Sequence, residues 1–148
     1  MLKKLVPLFI GLGLVFSGAY AGENYTISGD VTFRYDGDIY VCLFTLEKYA
    51  EFQRPGHELS QPECKYTEMN ADLKKAKQVP FKFESINNGT YVIVGYQDEN
   101  KNGKVDFENY MINEPWSTYK ERDPVISPTW DTIKFDLEEN ISGIKIQM

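Results

Sequence analysis

Short runs that alternate apolar and polar residues, or are rich in β-branched and aromatic ones, are broken by Gly, Pro, Asn and Asp after residue 22, and these runs point to a core built from strands. VPFKFESI, Val79 to Ile86, alternates cleanly. TYVIVGY, Thr90 to Tyr96, is rich in the β-branched and aromatic residues that suit a pleated surface. YTISGDVTFRY, Tyr25 to Tyr35, places Ile27, Val31, Phe33 and Tyr35 in step, and IYVCLFTL, Ile39 to Leu46, is apolar on both faces, as a central strand would be. TWDTIKFDL, Thr129 to Leu137, and ISGIKIQM, Ile141 to Met148, read as the last two strands, joined by Glu138-Glu139-Asn140. Asp36-Gly37 and Asn87-Asn88-Gly89 read as tight hairpin turns. Helix is sparse: two turns over Glu47–Arg54, stopped by Pro55-Gly56, and a short helix around Met69–Lys77 inside an otherwise long polar loop over 55–78. The pattern predicts an all-β chain, a single antiparallel β-sandwich of about seven strands with little helix.

The N-terminus has a different character. MLKKLVPLFIGLGLVFSGAYA has a basic start at Lys3 and Lys4, an apolar stretch from Leu5 to Phe16, and the small-x-small site Ala19-Tyr20-Ala21. That is the build of a secretory signal peptide, residues 1–21, cut before Gly22, leaving one β-sandwich domain over 22–148. The apolar stretch falls short of the roughly 20 residues a spanning helix needs. Sixteen basic and 22 acidic residues give a formal charge of −6, and loss of Lys3 and Lys4 with the leader would take it to −8. An acidic balance of this size argues against nucleic acid and against anionic membrane surfaces. No later run is long enough for the mature chain to insert in a membrane. The expected location is periplasmic or secreted. In that setting Cys42 and Cys64, the two cysteines, read as one disulfide that ties down the long polar loop; their spacing is far from a C-x-x-C redox pair.

DENKNGKVD, Asp98 to Asp106, follows the most strand-like run and carries the strongest chemical signal. Counted from Asp98, residues Asp98, Asn100 and Asn102 stand at positions one, three and five, Gly103 at six, Lys104 at seven and Asp106 at nine. This is the D-x-[DN]-x-[DN]-G spacing of a calcium loop. Ca²⁺ takes six to eight oxygens, alternate residues of a tightly wound loop can aim theirs at one centre, glycine makes the sharp turn, and position seven supplies a main-chain carbonyl. The expected ligands over 98–109 are Asp98, Asn100, Asn102, the Lys104 carbonyl and Asp106, with Glu108 or Glu114 as a third carboxylate and Glu99 and Lys101 pointing outward. Position twelve is Asn109, where a helix–loop–helix calcium site has its bidentate Glu, and a strand precedes the loop, so an opening switch is not expected. Few charges imply weak binding, on the order of 10⁻⁴–10⁻³ M. The competing reading is a metal-free polar turn, since Asn, Asp and Gly favour turns in any case.

The segment GTYVIVGYQDENKNGKVD resembles the signature of a family of uncharacterised exported bacterial proteins, a domain of unknown function. Gly89, Tyr91, Asp98, Asn100, Asn102, Gly103 and Asp106 match its first element; Glu114, Pro115 and Trp116 resemble a second; Pro128, Trp130 and Asp131 resemble a third. Val92, Met111, Asn113 and Ser117 depart from it. The resemblance implies a transthyretin-like or carboxypeptidase-regulatory-like β-sandwich, in keeping with the seven-strand, immunoglobulin-like pattern of runs, and it brings no activity.

Catalytic constellations are thin. His57 is the single histidine, in the loop context RPGHELS near Ser60, with no G-x-S-x-G elbow, and one histidine is too few for a catalytic zinc site with histidine ligands. The aromatic segment 107–130 supplies Tyr110, Trp116 and Trp130 as residues for stacking on a sugar or anchoring a peptide, against the plainer reading that they cap one end of the sandwich. The chain thus reads as an exported, non-enzymatic binding or accessory protein with a structural Ca²⁺ loop, its partner an envelope protein, peptide or glycan. A carbohydrate- or peptide-binding module would need both indoles exposed on one face, and a carboxylate-dependent hydrolase would need the loop acids to face an open cleft.

Overall fold

The computed structural model describes residues 22–60, 62–120 and 128–148, so the leader expected over 1–21 lies outside the described residues. In chain order the elements are β1 (Asn24–Thr32), β2 (Asp38–Phe44), α1 (Leu46–Phe52), β3 (Cys64–Thr67), α2 (Ala71–Ala76), β4 (Gln78–Asn87), β5 (Gly89–Asp98), β6 (Phe107–Glu108), β7 (Met111–Ile112), β8 (Trp116–Thr118), α3 (Trp130–Ile133), β9 (Phe135–Leu137) and β10 (Ile141–Gln147). Each alternating run up to Tyr96 is a strand here, and the chain is mostly β. The expected strand over 129–137 splits in two. The Thr129 N–H donates to Thr132 Oγ1 at 3.0 Å, closing one helical turn, and only Phe135 onward is extended. The long polar loop contains β3 as well as the short helix α2.

Pairing departs further from expectation than element type does. Among the described residues ten strands form three sheets, ordered β10-β1-β4, β3-β2-β5-β8 with β9 also on β5, and the β6-β7 hairpin. The count expected for one seven-stranded sandwich is therefore replaced by ten strands, and β1 and β10 run parallel. Neither expected hairpin is one. Asp36-Gly37 leads from β1 in the first sheet to β2 in the second, and Asn87-Asn88-Gly89 leads from β4 in the first to β5 in the second. Turn residues supply the bend but do not choose the partner; burial of both inner faces does. The positive φ falls at Ser85 (58°), where β4 bulges against β1, and not within Asn87-Asn88-Gly89.

The inner faces of the two larger sheets share one core. Ile27, Val31, Phe81, Phe83, Ile144 and Ile146 meet Ile39, Val41, Leu43 and Ile93. The outer face of the second sheet is covered too, which is why every residue of β2 is buried. Tyr40, Cys42, Phe44, Val92, Val94 and Tyr96 lie there under α1, Leu59 and Val105. Thr45 caps α1, and Tyr49 and Phe52, three residues apart, point down together. The Phe52 ring sits 5.5 Å from Phe44, 6.2 Å from Tyr96 and 5.8 Å from Trp116, and burying such a ring contributes about 2–3 kcal/mol. Cys42 and Cys64 face each other across β2 and β3 and form the expected disulfide. No helix among the described residues is long and apolar enough to cross a membrane.

Candidate metal centre

Side chains alternate along β5, so Tyr96 and Asp98 project to the same outer face, and Asp98 ends the strand where the loop begins. Asp98 is 1% exposed. Its Oδ1 accepts the Asn102 N–H at 3.2 Å and its Oδ2 the Gly103 N–H at 2.7 Å. Asn100 Oδ1 accepts the same Asn102 N–H at 3.0 Å, and Asn102 Oδ1 accepts the Lys104 N–H at 2.8 Å. These successive side-chain-to-backbone bonds wind the loop tightly, helped by positive φ at Lys101 (59°) and Gly103 (72°). Asp106 Oδ2 closes the ring by accepting from Asn100 Nδ2 at 2.7 Å and Asn102 Nδ2 at 2.8 Å. The structure thus brings Asp98, Asn100, Asn102 and Asp106 together.

One expectation for this loop changes, and the two glutamates named for the third carboxylate separate. Lys101 does not simply point outward: its Nζ reaches back to Asp38 Oδ1 at 3.3 Å. Glu108 lies exposed on β6, and none of the loop's hydrogen bonds or ion pairs involves it. Glu114 takes the inner place. It is buried, and its Oε1 accepts from the N–H groups of Glu99 (2.8 Å) and Asn100 (3.4 Å) while its Oε2 accepts from the Tyr96 hydroxyl. Burial pushes the Glu114 carboxyl above the ordinary carboxylate range, partly offset by those donors. The Tyr96 oxygen also accepts the Asp106 N–H at 3.1 Å and stands 3.2 Å from the Lys104 carbonyl; burial and Glu114 push its own pKa up.

Two more contacts hold the loop from outside. Residues 56–59 pair with its descending arm: Leu59 N–H donates to the Gly103 carbonyl (2.9 Å), Val105 N–H to the His57 carbonyl (2.8 Å) and Gly56 N–H to the Val105 carbonyl (3.0 Å). At the ascending arm, Gly37 lies so close that a Cβ there would come within 2.7 Å of the Asp98 carbonyl oxygen. Next to it Asp38, 5% exposed, pairs directly across from Asp98 in the β2–β5 register. Burial would raise Asp38, but the Met69 N–H (2.9 Å), the Tyr66 hydroxyl (2.9 Å) and Lys101 outweigh that and hold it below the usual carboxylate range. The same contact, after burial, lifts Tyr66 to about 12.

Asp38, Asp98, Asp106 and Glu114 therefore gather around one loop, and Lys101 is the one ammonium paired with any of them among the described residues. A cluster of three or more His, Cys, Asp or Glu side chains placed to hold a metal does not occur among the described residues. The hydrogen-bonded ring is made instead by two aspartates, two asparagine amides and the main chain. Sequence reasoning named the aspartates and asparagines. It did not name Tyr96 or Asp38; the readable signal for Tyr96 was its position two residues before Asp98.

The other candidate residues lie nearby. Tyr110 is fully exposed at the tip of the β6–β7 hairpin, where both Asn109 (φ 50°) and Tyr110 (φ 65°) adopt the left-handed conformation. Trp116 is half-buried against Phe52. With Gln53, Phe107, Met111 and Pro128, Tyr110 and Trp116 line a pocket of about 260 Å³. Trp130 is not part of that lining; it packs half-buried against Tyr49 at 6.3 Å. His57, in a loop context by sequence, is half-buried in a small recess with Ser60 and Cys64, and burial holds its pKa below the usual histidine value.

No curated protein and no solved structure matches the chain. One family model does, across residues 32–145, which runs from the last residue of β1 into β10 and includes the loop and the described pocket lining. The chain belongs to the bacterial family described as "Uncharacterized protein conserved in bacteria (DUF2141)".

Proposed function

We propose that this is an exported accessory protein of the bacterial envelope whose Asp98–Asp106 loop binds a structural Ca²⁺ ion. The observation that carries the reading is the charge balance at the loop. Asp98 and Glu114 are buried carboxylates, Asp106 adjoins them, and Lys101 is engaged by Asp38. Like charges across a strand pair are unfavourable, and buried acids need a partner, so a divalent cation is the natural complement. The donors suit a hard cation. Asp98, Asp106, the amide oxygens of Asn100 and Asn102, each with a second lone pair beyond its backbone bond, and the Lys104 carbonyl are all oxygens. The Tyr96 hydroxyl carries a single proton; given to Glu114, it leaves the Lys104 carbonyl free for the ion.

A role as structural ion is supported by where the loop sits, between β5 and the segment that forms β6, β7 and β8. Export is supported by the signal-like residues 1–21 and by the disulfide, which persists in oxidising compartments. The likeness to transthyretin-like sandwiches is supported by two facing sheets with one shared core. A hydrolase reading has less behind it, because both oxygens of Asp98 are turned to backbone N–H groups rather than to a cleft.

Thermal unfolding in EDTA and in about 10 mM CaCl₂, roughly ten times the expected Kd, tests the proposal. A ligand at that excess adds about 1.4 kcal/mol, a rise of about 5 °C for a domain of this size. The rise is expected for the wild-type protein and not for Asp98→Ala; equal midpoints with and without calcium in the wild type would refute it.

A further inference from the structure

We infer that the pocket beside the loop is a binding site for a neutral sugar ring. Its volume, about 260 Å³, lies just under the range of about 300–1,000 Å³ typical of drug-sized ligands, so it fits one ring rather than an extended chain. Phe107, Tyr110 and Trp116 give it aromatic walls, Met111 and Pro128 add apolar surface, and Gln53 gives it an amide. The Gln53 amide is oriented: its Nε2 donates to the Tyr49 hydroxyl at 2.9 Å, which directs Oε1 away as an acceptor. Among the described residues that line the pocket none is charged. A purely apolar ligand would leave the Gln53 carbonyl without a donor. A pyranose has what is missing on both counts, a flat C–H face for the rings and hydroxyl donors on its rim.

Tyr110 supplies an independent argument. Two-residue hairpin turns with positive φ at both positions favour Asn-Gly, and this turn is Asn109-Tyr110. The tyrosine accepts a left-handed backbone and yet gains no burial, since its side chain is fully exposed. Folding alone would select glycine at this site. An aromatic face held at the pocket mouth is what the substitution of Tyr for Gly obtains.

The inference does not depend on calcium, and the test keeps the two apart. Methyl glycosides of neutral hexoses and of N-acetylhexosamine are titrated to about 50 mM into the protein, in EDTA and again with calcium, following tryptophan fluorescence and aromatic NMR shifts; a single ring binds in the millimolar range. Saturable shifts at Tyr110 and Trp116 with at least one glycoside, in either buffer, are expected. Tyr110→Gly should weaken them tenfold or more while leaving the unfolding midpoint equal to or above that of the wild type, so loss of binding cannot be put down to misfolding. Absence of saturation with every glycoside in both buffers would overturn the proposal. So would equal binding by Tyr110→Gly, or saturation by a Pro- and Phe-containing tripeptide where no glycoside saturates.

Discussion

Two glutamates follow the loop, Glu108 and Glu114, and only the second touches it. Glu114 holds two backbone N–H groups and the Tyr96 hydroxyl in a buried place. Glu114→Ala strands all three donors, so it should cost about 2–4 kcal/mol in urea unfolding. Glu108→Ala should stay within about 0.5 kcal/mol, as an exposed substitution does. Equal costs would mean that the brace behind the loop is not a stability element. The contrast also shows how far residue types could be read. Asp98, Asn100 and Asn102 chelate their own backbone within a few residues, so their spacing in the sequence is already their geometry. Glu114 arrives from beyond a hairpin, so the sequence offered it only as an alternative to Glu108, with no local spacing to decide between the two.

Elements were legible where a period of two met β-branched and aromatic residues, as in β4 and β5. They were misread where side-chain chemistry competes with propensity. Thr129 to Ile133 looks strand-like by residue type, but the Thr132 hydroxyl reaches the Thr129 N–H and a helical turn results. Partners were less legible than elements, because Asp36-Gly37 and Asn87-Asn88-Gly89 bend the chain equally well within a sheet or between sheets. The disulfide belongs to this scale. It joins β3, the strand inside the long polar segment, to the central β2 across a sequence separation of 22, and closing a loop of that size stabilises by about 3 kcal/mol. Replacing both cysteines by alanine should lower stability by about that amount and expose the residue 55–67 segment first to proteolysis; an unchanged midpoint would show that β3 is held by its sheet contacts alone.

At the scale of the molecule, the fold places the loop and the pocket on one flank. The loop is pinned between residues 56–59 and Glu114, and the segment leaving it, Phe107 to Trp116, forms most of the pocket wall. Asp106 belongs to the loop and Phe107 to the pocket, while the Asn113 N–H returns to the Asp106 carbonyl at 3.1 Å. Fixing the loop therefore fixes the start and the end of the wall. The acidity of the chain was legible from composition, but the concentration of Asp38, Asp98, Asp106 and Glu114 at one end of β2 and β5 needed the register of those strands. The most direct measurement is calcium binding itself. The protein, stripped with EDTA and dialysed, is loaded with Tb³⁺ and its tyrosine-sensitised luminescence is displaced by CaCl₂. The Tyr96 hydroxyl, 3.2 Å from the Lys104 carbonyl, puts a sensitiser beside the loop. One saturable site with a Kd on the order of 10⁻⁴–10⁻³ M for Ca²⁺, lost in Asp98→Ala and retained in Glu108→Ala, is the predicted result. Luminescence that does not saturate, or that survives Asp98→Ala unchanged, would contradict a metal site and leave the loop as a polar turn.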